Sequence, residues 1–151
     1  MQKITPFLWF DGNVAAAMKF YCSVFKNSKI VSVSGSGKNV MSATLKLNGQ
    51  ELMLFNGGPH YKPTPAFSLF VNCQTQKEID YYWKRLTKGG EASQCGWLKD
   101  RFGLSWQIIP DILGELLGDT DESKSERAMR AMLQMNKLDL KALKLAHAGA
   151  K

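Results

Sequence analysis

The sequence predicts an α+β chain of two consecutive βαβββ modules, residues 1–57 and 66–110, joined by a linker at 58–65 and followed by a helical tail at 111–151, one structural domain overall. Three observations carry this. One order of patterns, a β-type stretch, a helical stripe and three more β-type stretches, occurs twice before Pro110. The richest breaker cluster, Asn56-Gly57-Gly58-Pro59-His60-Tyr61-Lys62-Pro63-Thr64-Pro65, lies between the copies. Beyond Pro110 the spacing is helical and carries no strand signal. A repeat of about 50 to 60 residues is within the range in which internal duplication is tested before any other fold. With 151 residues, 44% of them hydrophobic, the chain has the material for a core.

In the first module, residues 3–10 are rich in β-formers and end at Asp11-Gly12-Asn13. Val14, Ala17, Met18, Tyr21, Cys22 and Phe25 then recur at helical spacing, and Asn27-Ser28 closes that helix. Residues 29–35 alternate through Ile30, Val31 and Val33 toward a Gly35-Ser36-Gly37 turn, and residues 41–47 alternate again. Asn48-Gly49 is a hairpin signal, because both residues tolerate the positive φ that a tight turn needs, and residues 51–55 complete the module.

In the second module, residues 66–73 read as a strand. Thr75 caps a helix striped by Ile79, Tyr82, Trp83 and Leu86, which Gly89-Gly90 ends. Short strands follow at 94–97, 98–100 and 105–109. The tail reads as helices over 111–117, from Ser123 through Ala128, Met129, Ala131, Met132 and Met135, and over 138–146. It is expected on the outside of a module or against a partner subunit.

The formal charge is +7, from 20 basic and 13 acidic residues. The basic residues are scattered singly, with no RNP-like, helix-turn-helix or finger motif, which argues against nucleic-acid binding. No run approaches the roughly 20 apolar residues of a membrane span. The segment Met1-Gln2-Lys3-Ile4-Thr5-Pro6 lacks the basic and apolar regions of a signal peptide, so no membrane association and a cytoplasmic location are expected. Cys22, Cys73 and Cys95 are odd in number, far apart and free of any Cys-x-x-Cys pair, so they read as buried or half-buried thiols. His60 and His147 are the chain's two histidines, and nothing in the sequence sets either beside a cysteine.

Phe7-Leu8-Trp9-Phe10-Asp11-Gly12, the helix with Phe20-Tyr21 and Phe25, the Asn56-Gly57-Gly58-Pro59 loop, the segment from Gly96-Trp97 to Pro110 and Met132-Leu133-Gln134-Met135 carry a family likeness. Together they resemble the PhnB-like branch of the vicinal-oxygen-chelate superfamily, the glyoxalase/bleomycin-resistance/dioxygenase fold. The resemblance covers nearly the whole chain. It implies two βαβββ modules whose sheets curl around a cavity, and a homodimer. Members of the branch often carry the label of a ubiquinone methyltransferase, 3-demethylubiquinone-9 3-methyltransferase. The sequence does not support that activity: a nucleotide-type methyl donor sits over a glycine-rich strand-to-helix turn, whereas Gly35-Ser36-Gly37 lies between two strands.

The resemblance also implies where metal ligands would stand in metal-dependent members: Thr5 or Pro6, Leu52 or Met53, Ala66, Phe67 or Ser68, and Gln107. None of these is a His or a carboxylate, so neither a metal nor any other cofactor is expected. If Gln107 keeps the inward position of the fold, alternation turns Thr5, Phe7 and Trp9, with Ser105, Gln107 and Ile109, toward the cavity. Leu8, Phe10, Trp106 and Ile108 then lie beneath the helices. Phe55 adds a further ring, and His60 stands in the loop near the cavity mouth. Asp100 and Arg101 read as a rim charge pair or a turn-forming Asp, and His147 as a surface residue.

The expected function is metal-free binding of a small, partly aromatic molecule in a dimer cavity, through Thr5, Phe7, Trp9, Phe55, His60, Ser105 and Gln107. One alternative is a glyoxalase-like or dioxygenase-like enzyme of the same fold. Another is a dimeric partner-binding protein that uses the helical tail.

Overall fold

The structure, a computed structural model, describes residues 2–150. The chain divides into two compact units, Met1–Pro63 and Thr64–Lys151. The first contains β1 (Phe7–Phe10), α1 (Val14–Val24), β2 (Ser28–Ser34), β3 (Ser42–Leu47) and β4 (Gln50–Asn56). The second contains β5 (Ser68–Cys73), α2 (Gln76–Thr87), β6 (Glu91–Ala92), β7 (Trp97–Lys99) and β8 (Ser105–Pro110), then α3 (Leu113–Leu117), α4 (Glu122–Leu133) and α5 (Leu140–Ala148). The sheets have the same wiring, β1-β4-β3-β2 and β5-β8-β7-β6. In each, the first strand runs parallel to the last and the remaining pairs are antiparallel. The duplicated α+β fold with a helical tail is therefore what the chain adopts.

In the first unit, Val14, Ala17, Tyr21 and Val24 of α1 are fully buried, as are Leu45 and Leu54 on the covered side of the sheet. Asn13 makes no side-chain cap at the start of α1. The cap comes from the end of β4 instead: Asn56 accepts from Val14 N–H at 3.2 Å and donates to the Val40 carbonyl at 2.7 Å. One amide thus fixes α1, β4 and the entry to β3 together. The Asn48-Gly49 hairpin has φ of 47° and 89°, the left-handed geometry that these residue types tolerate.

In the second unit, Thr75 Oγ1 accepts from Glu78 N–H at 3.2 Å and caps α2 as expected. The tail is anchored to its own unit. The Gln76 side chain donates to the Leu138 carbonyl at 3.0 Å and accepts from Leu140 N–H at 2.7 Å. Leu138 and Leu143 are buried with Ile109 and Leu113 in one apolar cluster.

Three local expectations are corrected. Residues 94–96 are a turn leading into β7, which Trp97 begins, and the short strand lies earlier, at Glu91–Ala92. Cys95 and Gly96 have φ of 59° and 84°, which a strand cannot accommodate, and their N–H groups donate to the Met135 and Asn136 carbonyls of the tail. At the N-terminus, residues 3–6 stay outside the sheet and β1 begins at Phe7. In β8, Ile109 does not share an open wall with Gln107, because the tail covers it.

The β7–β8 hairpin is organised by Asp100, which is 2% exposed. Its Oδ1 accepts from Phe102 and Leu104 N–H at 2.8 and 3.1 Å, and its Oδ2 accepts from the Trp106 indole at 2.8 Å. Asp100 is thus the turn-forming residue, and Arg101 is exposed. Trp106→Phe removes a bond to a buried carboxylate and is expected to lower stability by about 1.5–3 kcal/mol, measured by urea unfolding. The buried Cys73 thiol is pushed up to about 12, by burial first and then by the charges of Glu78 and Asp111. It therefore stays protonated and unreactive at neutral pH. Pulsed alkylation read by mass spectrometry is expected to label Cys73 after the half-buried Cys22 and Cys95.

Candidate functional site

Alternation along the first sheet sends Phe7 and Trp9 of β1, and Glu51, Met53 and Phe55 of β4, to the face opposite α1. The register sets Phe7 beside Met53 and Trp9 beside Phe55. Trp9 lies flat against Phe55, with centroids 5.3 Å apart and planes inclined by 3°. Phe7 meets Phe55 edge-on at 5.6 Å, and Tyr61 meets Trp9 edge-on at 5.1 Å. Four rings therefore form a row in the order Phe7, Phe55, Trp9, Tyr61. The Trp9 indole donates to the Gly58 carbonyl at 3.0 Å, which fixes the ring plane. A Cβ at Gly57 would enter the Trp9 ring, so the glycine is what lets the loop close over the indole. Phe7 is 56% and Tyr61 68% exposed at the two ends of the row.

Of the residues expected at a ligand site, Phe7, Trp9 and Phe55 come together directly. Thr5 is half-buried, with its hydroxyl donating to the Gln2 carbonyl at 3.5 Å. His60 is exposed in the turn immediately before Tyr61. Ser105 and Gln107 belong to the second unit. Ser105 is buried, leaving Gln107 as the partly open residue of β8. Gln107 lies in register between Phe70 and Trp97, and its amide donates to Ser68 Oγ at 3.0 Å. Phe70 is 52% exposed.

Tyr61 and Phe70 escaped the sequence reading. Tyr61 sits in a breaker cluster, where no periodicity reports orientation. The phase of both Glu51 and Phe70 was readable, because the Asn48-Gly49 turn fixes that of β4 and because Phe70 shares its face of β5 with the polar Ser68 and Asn72.

The ligand positions implied by the family likeness test poorly for a metal. Leu52 is turned into the core, so Met53 is the open residue of that pair. Thr5, Met53, Ser68 and Gln107 offer hydroxyls, a thioether and an amide, which do not fit a divalent cation. Among the described residues no three His, Cys, Asp or Glu side chains form a metal-competent group. His147 lies in the tail, its Nε2 2.8 Å from Asp119 Oδ2. The Asp119 carboxyl is held below its usual range by the Asp121 backbone N–H first and then by His147. The pair joins the end of α5 to the loop before α4.

Residues 2–109 match the family described as 3-demethylubiquinone-9 3-methyltransferase. No curated protein matches the chain. Among solved structures, a PhnB protein from Bacillus cereus, provisionally given the same methyltransferase name, is 39% identical. That match covers 72% of this chain and 99% of the other, at a TM-score of 0.67. A protein from Pseudomonas aeruginosa is 21% identical over 73% of this chain and 98% of its own, at 0.61. The fosfomycin resistance protein FosX from Listeria monocytogenes, solved with Mn(II) and sulfate, is 15% identical over 78% and 97%, at 0.56, and shares the fold alone. No helix is long and apolar enough to cross a membrane among the described residues. The chain thus belongs to the family described as 3-demethylubiquinone-9 3-methyltransferase, on the vicinal-oxygen-chelate fold, with its helical tail outside the matched span.

Proposed function

We propose that this protein, in keeping with the PhnB-like branch it resembles, is a homodimeric binder of a small, partly aromatic molecule, and that binding needs no metal. The observation that carries this reading is the ring row of the first unit. Phe55 and Trp9 are stacked and fixed, while Phe7 stays more than half exposed at the end of the row. An aromatic guest laid against Phe7 and Phe55 removes apolar surface from water at about 25 cal/mol per Å². The rings are already held in place, so little ordering cost opposes it. The second unit by itself carries a comparable combination of ring and polar group, the exposed Phe70 in register with Gln107, whose amide donates to Ser68 Oγ.

Methyl transfer, which the family's description names, draws no support from the residues. Gly35 leads from β2 into a short 3-10 turn, Gly37–Asn39, and then β3, so no glycine-rich strand-to-helix turn stands there to seat a nucleotide-type donor.

The simplest probe is neutral 2-phenylethanol. Millimolar probe is expected to raise the melting temperature, since a ligand bound to the native state stabilises it by mass action. Phe7→Ala removes an exposed ring, so it is expected to leave the unliganded melting temperature in place and weaken binding by about 5- to 10-fold. Equal affinity in the variant would contradict the reading. Light scattering on the eluting protein is expected to give twice the chain mass of 16.9 kDa, and a monomer mass would remove the dimer from the proposal.

A further inference from the structure

The open face of the first sheet is aromatic toward one end and charged at the other. Across β4, β3 and β2 the register aligns Glu51 with Lys46 and Lys46 with Lys29. Glu51 stands two residues before Met53, and Met53 faces Phe7, so the carboxylate lies on the ring-bearing face about 7 Å along the strand from Met53. Its Oε2 is buried and has no hydrogen-bond partner among the described residues. Lys46 is its register neighbour, yet the ion pairs of the described residues are Arg130 with Glu126, Lys137 with Asp80 and His147 with Asp119. Buried polar atoms are nearly always paired, and an unpaired carboxylate oxygen beside an open apolar row lacks a donor that a guest can bring.

We propose that Glu51 selects the ligand of the aromatic face, and that this ligand is an aromatic molecule bearing an ammonium or similar cationic N–H group. The inference rests on the aromatic face being the binding face. The ring of the guest lies against Phe7 and Phe55, and its N–H group donates to the Glu51 carboxylate. A charge-assisted bond of this kind is stronger than a neutral one and gains further from the partly dry site. Lys46 opposes the cation, so its removal favours binding.

Three probes of matched shape separate the possibilities: 2-phenylethanol, 2-phenylethylamine and phenylacetate, titrated at neutral pH and read by the Trp9 indole N–H resonance. The amine is expected to bind about 10-fold more tightly than the alcohol, as a hydrogen bond to a charged group requires. Glu51→Gln, which keeps shape and fold, is expected to abolish that advantage and leave the alcohol unchanged. Lys46→Gln is expected to raise amine affinity. Equal binding of amine and alcohol to the wild-type chain overturns the role of Glu51, as does an amine preference that survives Glu51→Gln. Tightest binding of phenylacetate overturns it in favour of Lys46 and Lys29. Failure of all three probes removes the aromatic binding face itself.

Discussion

A four-stranded sheet covered by a single helix buries one face and leaves the other open, and the first unit is built under that constraint, whereas in the second the tail also covers Ile109. In the first, α1 takes the face that carries Leu8, Phe10, Leu45, Leu52 and Leu54. The intervening residues have nowhere to go but outward, and a slip of one residue would exchange the two sets completely. Register is therefore the quantity on which the site depends. Two polar side chains, a half-buried amide and a buried carboxylate, hold it. Asn56 joins the start of α1 to the segment entering β3, and Asp100 ties its turn to Trp106 in β8. Neither group touches the open faces, yet each sets which side chains appear there.

The architecture was legible because both units repeat one pattern and each break in it falls on residues with a local reason to turn. Thr75 capping α2 and Asn48-Gly49 closing a hairpin needed no tertiary information. The misjudged stretches are those where distant segments decide. Cys95 and Gly96 leave the strand geometry to donate to the tail, and Ile109 loses its open position because Leu113, Leu138 and Leu143 cover it. Alternation reports which side of a strand a residue occupies; it does not report what arrives later in the chain to cover that side.

The site was legible to a smaller degree. Strand phase sets Phe7 and Trp9 on one face, Phe55 entered the reading only as a further ring, and the sheet register brings the three into one row. Tyr61 enters that row from a loop, and the loop reaches it because Gly57 admits the Trp9 ring and Gly58 accepts its N–H. Those glycines were visible as breakers, but a breaker signal carries no statement about which ring it accommodates. Glu51 joins no group of three possible metal ligands among the described residues. A lone carboxylate on a ring-bearing face makes better chemical sense as a partner for a cationic N–H than as one ligand of an ion that needs several.

The open face of the first sheet as the place of binding is tested most directly by a crystal structure of the chain grown with 2-phenylethanol. The expected result is a phenyl ring seated against Phe7 and Phe55, with the core side of the sheet unchanged. A ring found only in the helical tail or beneath α1, with the aromatic row bare, would contradict it.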